Sequence, residues 1–240
     1  MAKLLTVFGA TGQQGVWEQA SAVVEVSQGK AVADAAVAAG AAQIIWSSLP
    51  NVTKMTSGEI TNAKHYDSKA EVEEYIRTLD IKSMFFMPGW FMQNHLSIMK
   101  PQIMADGTYV FSQPWDTSSL IPLIDIRDTG KFIAPALLDP DLYHGKNFTC
   151  ATDFYTPMEM VDAWTKATGK TVRFQQVGTG SEYSTLSEAQ SMELRKARGL
   201  ITKYAYFGPT GIADLTWTLK QLTETPRSWE EFILENLPWF

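Results

Sequence analysis

The tightest constraint on how this chain can fold is its opening stretch, Leu4-Leu5-Thr6-Val7-Phe8-Gly9-Ala10-Thr11-Gly12-Gln13-Gln14-Gly15. A short apolar, β-favouring run meets glycines spaced three apart at Gly9, Gly12 and Gly15. That spacing turns a first strand tightly into a helix whose amide groups can face a pyrophosphate. Gly9 permits the sharp turn, Gly12 the close approach of a phosphate, and Gly15 close packing of helix on strand. The pattern predicts nucleotide-binding ancestry, a plain glycine-rich turn being the alternative.

The residues after Gly15 depart from that expectation. A nucleotide-binding fold supplies a full helix and then a second strand, ending in an acid for a ribose hydroxyl or an arginine for a 2′-phosphate. Neither is visible. Residues Val16 to Ala39 read as mostly helical and alanine-rich, with Gly40 as the stop. Lys30 lies inside that helical pattern, and the first arginine is Arg77. Glu25 is the acid nearest the right spacing, but in a helix its expected role is that of a surface glutamate.

Further along, Gln43 to Ser48 is an apolar run closing on Ser47 and Ser48, read as a buried parallel strand. Strand C-termini carry the chemistry of α/β sheets, so both serines point toward a site, although serines also simply end strands. Thr61 to Leu79 is a helix with Val72, Tyr75, Ile76 and Leu79 on its buried face. His65 and Lys69 are four apart and share one face, one turn from the N-terminal end. Lys69 reads two ways: holding ribose hydroxyls with His65 or Tyr66 nearby for proton transfer, or an exposed lysine paired with Glu73. Ile81 to Met87 is a second buried strand, leading to the loop Pro88 to Asn94. Trp90, Phe91, Tyr109, Phe111 and Trp115 either line an apolar pocket with Gln93 and Asn94 as polar handles, or form core.

The next strand, Leu120 to Asp125, runs into Asp128 as N-cap of the helix Thr129 to Leu138, and the charges of Asp125, Arg127 and Asp128 fix that helix entry. A short strand is expected at Gly145 to Cys150, a boxed helix from Thr156, a half-exposed strand at Thr171 to Val177, a helix at Glu188 to Arg198, and a terminal helix opened by Ser228. Residues 1–152 are expected to form the nucleotide-binding domain and 153–240 a smaller annex of the same folding unit. The strands near 3–8, 43–47, 81–87 and 120–125 are expected to build one parallel sheet, with the first strand central.

Composition limits the functions open to such a fold. With 240 residues, 45% of them hydrophobic, the chain buries a core without disulfides, and its single cysteine, Cys150, fits a reducing compartment. No signal peptide and no bilayer-spanning run is read, so the sequons at Asn51 and Asn147 are expected to stay unglycosylated. A net charge of −6 without basic runs argues against direct binding to nucleic acid or an anionic membrane. Small molecules and protein partners remain, with the cytoplasm as the expected location and the nucleus as the alternative. No metal site is expected.

Taken together, the opening VFGATGQQG, the strand IIWSSLPN, the helix start HYDSKAEVEEYIR, the loop MPGWFMQN and the run IDIRDTGKF resemble the NmrA-like family, atypical relatives of the short-chain dehydrogenases/reductases. The resemblance covers nearly the whole chain. It implies an α/β fold, a Rossmann-like three-layer parallel sheet with a small C-terminal α+β annex. It further implies a preference for NADP over NAD, and either redox-sensing regulation by docking a protein such as a transcription factor, or reduction of small apolar carbonyl, quinone or enone substrates. By the same resemblance Gly9, Gly12, Gln13 and Gly15 bind the pyrophosphate and Lys69 sits near the nicotinamide ribose; Thr11 within the motif and Ser47 at its strand end are read as further cofactor contacts.

Two departures qualify these expectations. His65 stands where the oxidoreductases carry the tyrosine of their Y-x-x-x-K pair, and Tyr66 is one residue out of register. Between Gly15 and the helix holding Glu25, about two further βα units of the family pattern are missing. With them goes the arginine that reads a 2′-phosphate. The sheet should therefore be depleted of strands, and NADP binding weak or lost. A cofactor-free protein that binds a small apolar ligand, or catalyses a non-redox step in the same cleft, is the third reading.

Overall fold

Residues 5–8, 22–61, 63–97, 99–177 and 198–240 are described by a computed structural model. In chain order the strands are β1 (Leu5–Phe8), β2 (Gln43–Ser47), β3 (Lys82–Pro88), β4 (Trp90–Phe91), β5 (Gln102–Ile103), β6 (Tyr109–Gln113), β7 (Ile121–Ile124), β8 (Lys146–Cys150), β9 (Asp153–Tyr155) and β10 (Val172–Gln176). The helices are α1 (Ala22–Ala38), α2 (Val52–Met55), α3 (Lys64–Ile76), α4 (Thr129–Leu138) and α5 (Pro157–Thr168), then α6 (198–204), α7 (Gly211–Leu219) and α8 (Trp229–Glu235). The chain divides into two units that interleave along the sequence. The first comprises Met1–Pro88, Thr129–Cys150 and Thr216–Glu224, the second Gly89–Asp128, Ala151–Leu215 and Thr225–Phe240.

In the first unit the apolar runs pair as a wholly parallel sheet in the order β1-β2-β3-β8. Side chains alternate along each strand, so one strand feeds two layers. Ile44 and Phe85 join Ala33 and Ala36 of α1 and Val72 and Ile76 of α3 in one buried cluster. On the opposite face Phe86 meets Phe132 of α4 edge-on at 6.3 Å, and Gln43 donates its amide to the Ala136 carbonyl at 3.1 Å. This is the expected three-layer α/β arrangement. Small residues let the helices lie close. A Cβ on Gly29 of α1 would sit 2.6 Å from Val72 Cγ2, so only glycine fits that crossing.

Two expectations about the sheet are corrected. β1 is an edge strand, not a central one, because among the described residues it pairs with β2 alone. The strand at Ile121–Ile124 is outside the parallel sheet, and its place is taken by β8. Its uniformly buried pattern specified a strand covered on both faces but not which sheet would cover it.

The second unit holds two small mixed sheets, β10-β6-β5 and β4-β7-β9. Both of its well-capped helices follow the sequence signals. Thr156 opens α5 and Ser228 opens α8 through reciprocal boxes, each hydroxyl accepting an N–H from the glutamate three residues on while that glutamate accepts the cap's own N–H. Such boxes are local chemistry and need no tertiary context to form. Between these helices lies an aromatic nest in which His95, Phe111, Trp164, Trp229, Phe232 and Trp239 meet mostly edge-to-face.

Candidate functional site

The N-terminal half of α3 carries the residues singled out in the sequence. α2 is tied to this helix by Thr53, whose backbone N–H and hydroxyl both donate to Asp67, at 3.2 and 2.6 Å. The Trp46 indole at the end of β2 donates to the Lys69 carbonyl at 3.0 Å and so fixes the backbone there. Lys69 Nζ is ion-paired with the Glu25 carboxylate of α1, and its side chain is only 13% exposed. The other Glu25 oxygen lies 2.7 Å from Ser68 Oγ, which is also 2.6 Å from the Lys64 carbonyl. Glu25 is therefore not a bystander on the surface, as its helical setting suggested, but the partner of Lys69 and Ser68.

The electrostatics follow from these contacts. Burial raises the Glu25 carboxyl, but the hydrogen bonds from Lys69 and Ser68 and the lysine charge outweigh it and hold the group below the usual carboxylate range. His65 moves the other way from its usual value. Burial, reinforced by the Lys69 charge and only partly opposed by Glu25, lowers it to about 4. At neutral pH the ring is an uncharged imidazole, packed edge-on to Tyr66 with centroids 5.6 Å apart. The predicted trio Lys69, His65 and Tyr66 is thus adjacent on one helix, with Tyr66 buried.

The alternative pairing of Lys69 with Glu73 does not occur. Glu73 accepts from the buried Ser48 hydroxyl at 2.5 Å, from Arg77 at 2.8 Å and from the Asn147 amide at 3.1 Å. Those three partners come from the end of β2, the end of α3 and β8, and the network ties the C-terminal edge of α3 to the sheet. Ser48 is consumed by it, whereas Ser47 is buried at the end of β2. The glycine motif, with Gly9, Thr11, Gly12, Gln13 and Gly15, lies outside the described residues.

Trp90, Phe91, Gln93 and Asn94 belong to the second unit. The Trp90 indole packs edge-on against Trp115 at 5.7 Å and points its N–H at Met99 Sδ, 3.2 Å away. Tyr109 stacks on Phe240 at 3.8 Å. Gln93 is engaged at both ends of its amide, donating to Asp125 at 2.6 Å and accepting from the Ile126 N–H at 3.1 Å. Asn94 is half-buried, and its backbone carbonyl accepts from Ser97 and Met99.

Asp125 and Asp128 are both held by arginines. Asp128 is fully buried and accepts from Arg227 through both the side chain, at 2.7 Å, and the backbone N–H, at 2.6 Å. Burial raises the Asp125 carboxyl, but hydrogen bonds from Arg127 and Gln93 overcome this and hold it below its ordinary 3.8. A group whose folded pKa is depressed stabilises the fold above its unfolded value and loses that contribution as pH falls through the folded one. Asp125→Asn is therefore expected to cost about 2 kcal/mol at pH 7, the half-exposed Arg127 limiting the size. Urea unfolding at pH 7 and pH 3 checks this: the gap between parent and variant should narrow at the lower pH.

Cys150 is buried, and burial pushes its thiol well above the ordinary value, so it supplies no thiolate at neutral pH. Among the described residues no group of three or more His, Cys, Asp or Glu side chains is arranged to hold a metal ion. None of the described helices is long and apolar enough to cross a membrane.

A parallel sheet covered by helices on both faces, with Lys69 on α3 and serines at the C-terminal end of β2, defines a protein of the three-layer, Rossmann-like α/β class. The match is closer than class. Residues 16–233 match the NmrA-like family, and the chain belongs to it. It is 28% identical over 215 residues to the NmrA-like family domain-containing oxidoreductase lnaB of Aspergillus flavus, covering 83% of this chain and 64% of that protein. It is 29% identical over 163 residues to the nitrogen metabolite repression protein nmrA of Emericella nidulans, covering 64% of this chain and 45% of that protein. The crystal structure of Nmra, a negative transcriptional regulator in complex with NAD, superposes with a TM-score of 0.77 at 24% identity, over 89% of this chain and 70% of that one. The chain thus spans about two thirds or less of the length of these two curated relatives.

Proposed function

We propose that this chain is a nicotinamide-dinucleotide-binding regulator that docks a protein partner and does not itself transfer hydride efficiently. The observation that carries the reading is His65. It occupies the place of the tyrosine of the oxidoreductase pair, and burial beside Lys69 keeps it neutral, with a pKa of about 4. A general acid works best with a pKa near the operating pH, and His65 lies well below it. Lys69, by contrast, suits binding: an ammonium group donates three hydrogen bonds, and Glu25 is its one partner among the described residues. In this reading Lys69 holds the nicotinamide ribose hydroxyls, and Gly9, Thr11, Gly12, Gln13 and Gly15 face the pyrophosphate, with Ser47 alongside. The cofactor, when bound, supplies a redox state for the partner to read. The oxidoreductases among the relatives support the second reading, an enzyme acting on quinones or enones.

Calorimetric titration with NADPH and NADH, beside an oxidation assay with quinones and enones, separates the readings. Weak binding without turnover is expected. Turnover would make the chain a reductase, and no binding of either nucleotide would leave a cofactor-free ligand protein. Lys69→Ala should weaken the measured affinity by about 1–3 kcal/mol, the scale of a hydrogen bond to a charged group. Unchanged affinity in that variant would remove Lys69 from the site.

A further inference from the structure

Helices α1 and α3 run side by side in parallel, and their contacts keep step. Glu25 meets Lys69, Lys30 meets Glu71 at 2.8 Å, and Asp34 meets the Tyr75 hydroxyl at 2.6 Å. The helices approach too closely for a side chain where Gly29 faces Val72: a Cβ there would meet Val72 at 2.6 Å and the Trp46 ring at 3.2 Å. Gly29 is one turn past Glu25, and Val72 one turn past Lys69. The close approach at Gly29 therefore sets the distance at which the Glu25 carboxylate reaches the lysine.

Both carboxylate oxygens are in use, one on Lys69 and one on Ser68. This fixes the carboxylate's rotation and, through it, the end of a long, otherwise mobile lysine stem. One ammonium N–H is spent on Glu25, which leaves two for another acceptor. The neighbouring carboxylate also balances the ammonium charge. A site of this kind favours neutral hydroxyl oxygens over a phosphate, whose charge Glu25 would repel.

We infer that Glu25 is a positioning residue that aims Lys69 at the vicinal diol of a ribose, with Gly29 setting its reach. The inference rests on the dinucleotide reading given above and assigns a role within it to a residue of α1.

The test compares NADH with AMP, which lacks the nicotinamide ribose, by ligand-observed titration of the parent, Glu25→Ala, Glu25→Gln and Gly29→Ala. Glu25→Ala is expected to weaken NADH about tenfold, a difference of roughly 1.4 kcal/mol, and leave AMP unchanged. Glu25→Gln keeps an oxygen that accepts from Lys69 and should recover most of the loss. Gly29→Ala keeps every charge but forces the helices apart, so it should reproduce the Glu25→Ala result. Unchanged or tighter NADH binding in Glu25→Ala, in a parent that binds, overturns the positioning role and leaves the dinucleotide reading standing. Equal losses for NADH and AMP would reduce Glu25 to a structural contact and overturn it too. A parent that binds neither nucleotide overturns both.

Discussion

Trp229→Ala is expected to destabilise the protein by about 3–5 kcal/mol, the range for emptying a large aromatic site in a packed core. Trp229 is fully buried at the first turn of α8, directly after the Ser228 cap. Its ring meets Trp164 edge-on at 4.9 Å and His95 at 5.0 Å, and stacks on Phe232 at 5.6 Å. The indole N–H donates to the Met160 carbonyl of α5 at 3.3 Å. The substitution removes those contacts, the indole bond included, and opens a hole among rigid rings that cannot collapse into it. Denaturant unfolding followed by near-ultraviolet circular dichroism checks the prediction. A loss below about 1 kcal/mol would mean that the nest repacks around the gap.

The second large effect is acid sensitivity through His95. The ring is fully buried in the same nest, and its Nδ1 donates to the Met92 carbonyl at 3.1 Å. Its Nε2 has no hydrogen-bond partner among the described residues. Burial lowers the group from 6.5 to about 4, with the Met92 contact opposing only in part. Between those values the unfolded chain binds a proton that the folded chain refuses. Stability is thus complete above pH 6.5 and falls by about 1.4 kcal/mol per pH unit down to pH 4, about 3 kcal/mol in all.

His95→Phe keeps an aromatic ring but no titrating nitrogen, so its stability should fall less steeply over that window, by one proton. His65 titrates in parent and variant alike, so the comparison isolates His95. Identical slopes would show that His95 is charged in the fold. Because His95 touches Trp229, the two substitutions should not be additive.

For function, the consequential feature is how differently the marked residues are employed. Glu73 and Ser48 are spent on holding α3 to the sheet, and Gln93 on Asp125. Lys69 is held in place with donors to spare, next to a neutral imidazole. That contrast is the ground for the sensing reading proposed above, and it is through Glu25 that α1 touches Lys69.

Local elements and fold class were legible in the order of residues alone. The apolar runs at β2 and β3, the helix α4, the capping box at Thr156 and the helix start at Ser228 could be read because each depends on residues within a few positions. The five ordered motifs likewise pointed to the family. Sheet membership required the folded chain, since a buried strand such as Ile121–Ile124 carries no mark of its neighbours, and β1 took an edge that its glycine loop does not specify. The partner of Lys69 was equally out of reach. The i, i+4 spacing offered Glu73, but the lysine went to Glu25, 44 residues earlier in the chain. Helical spacing states which side chains share a face. Which face meets which is settled by close packing, here by one glycine that lets α1 lie against Val72.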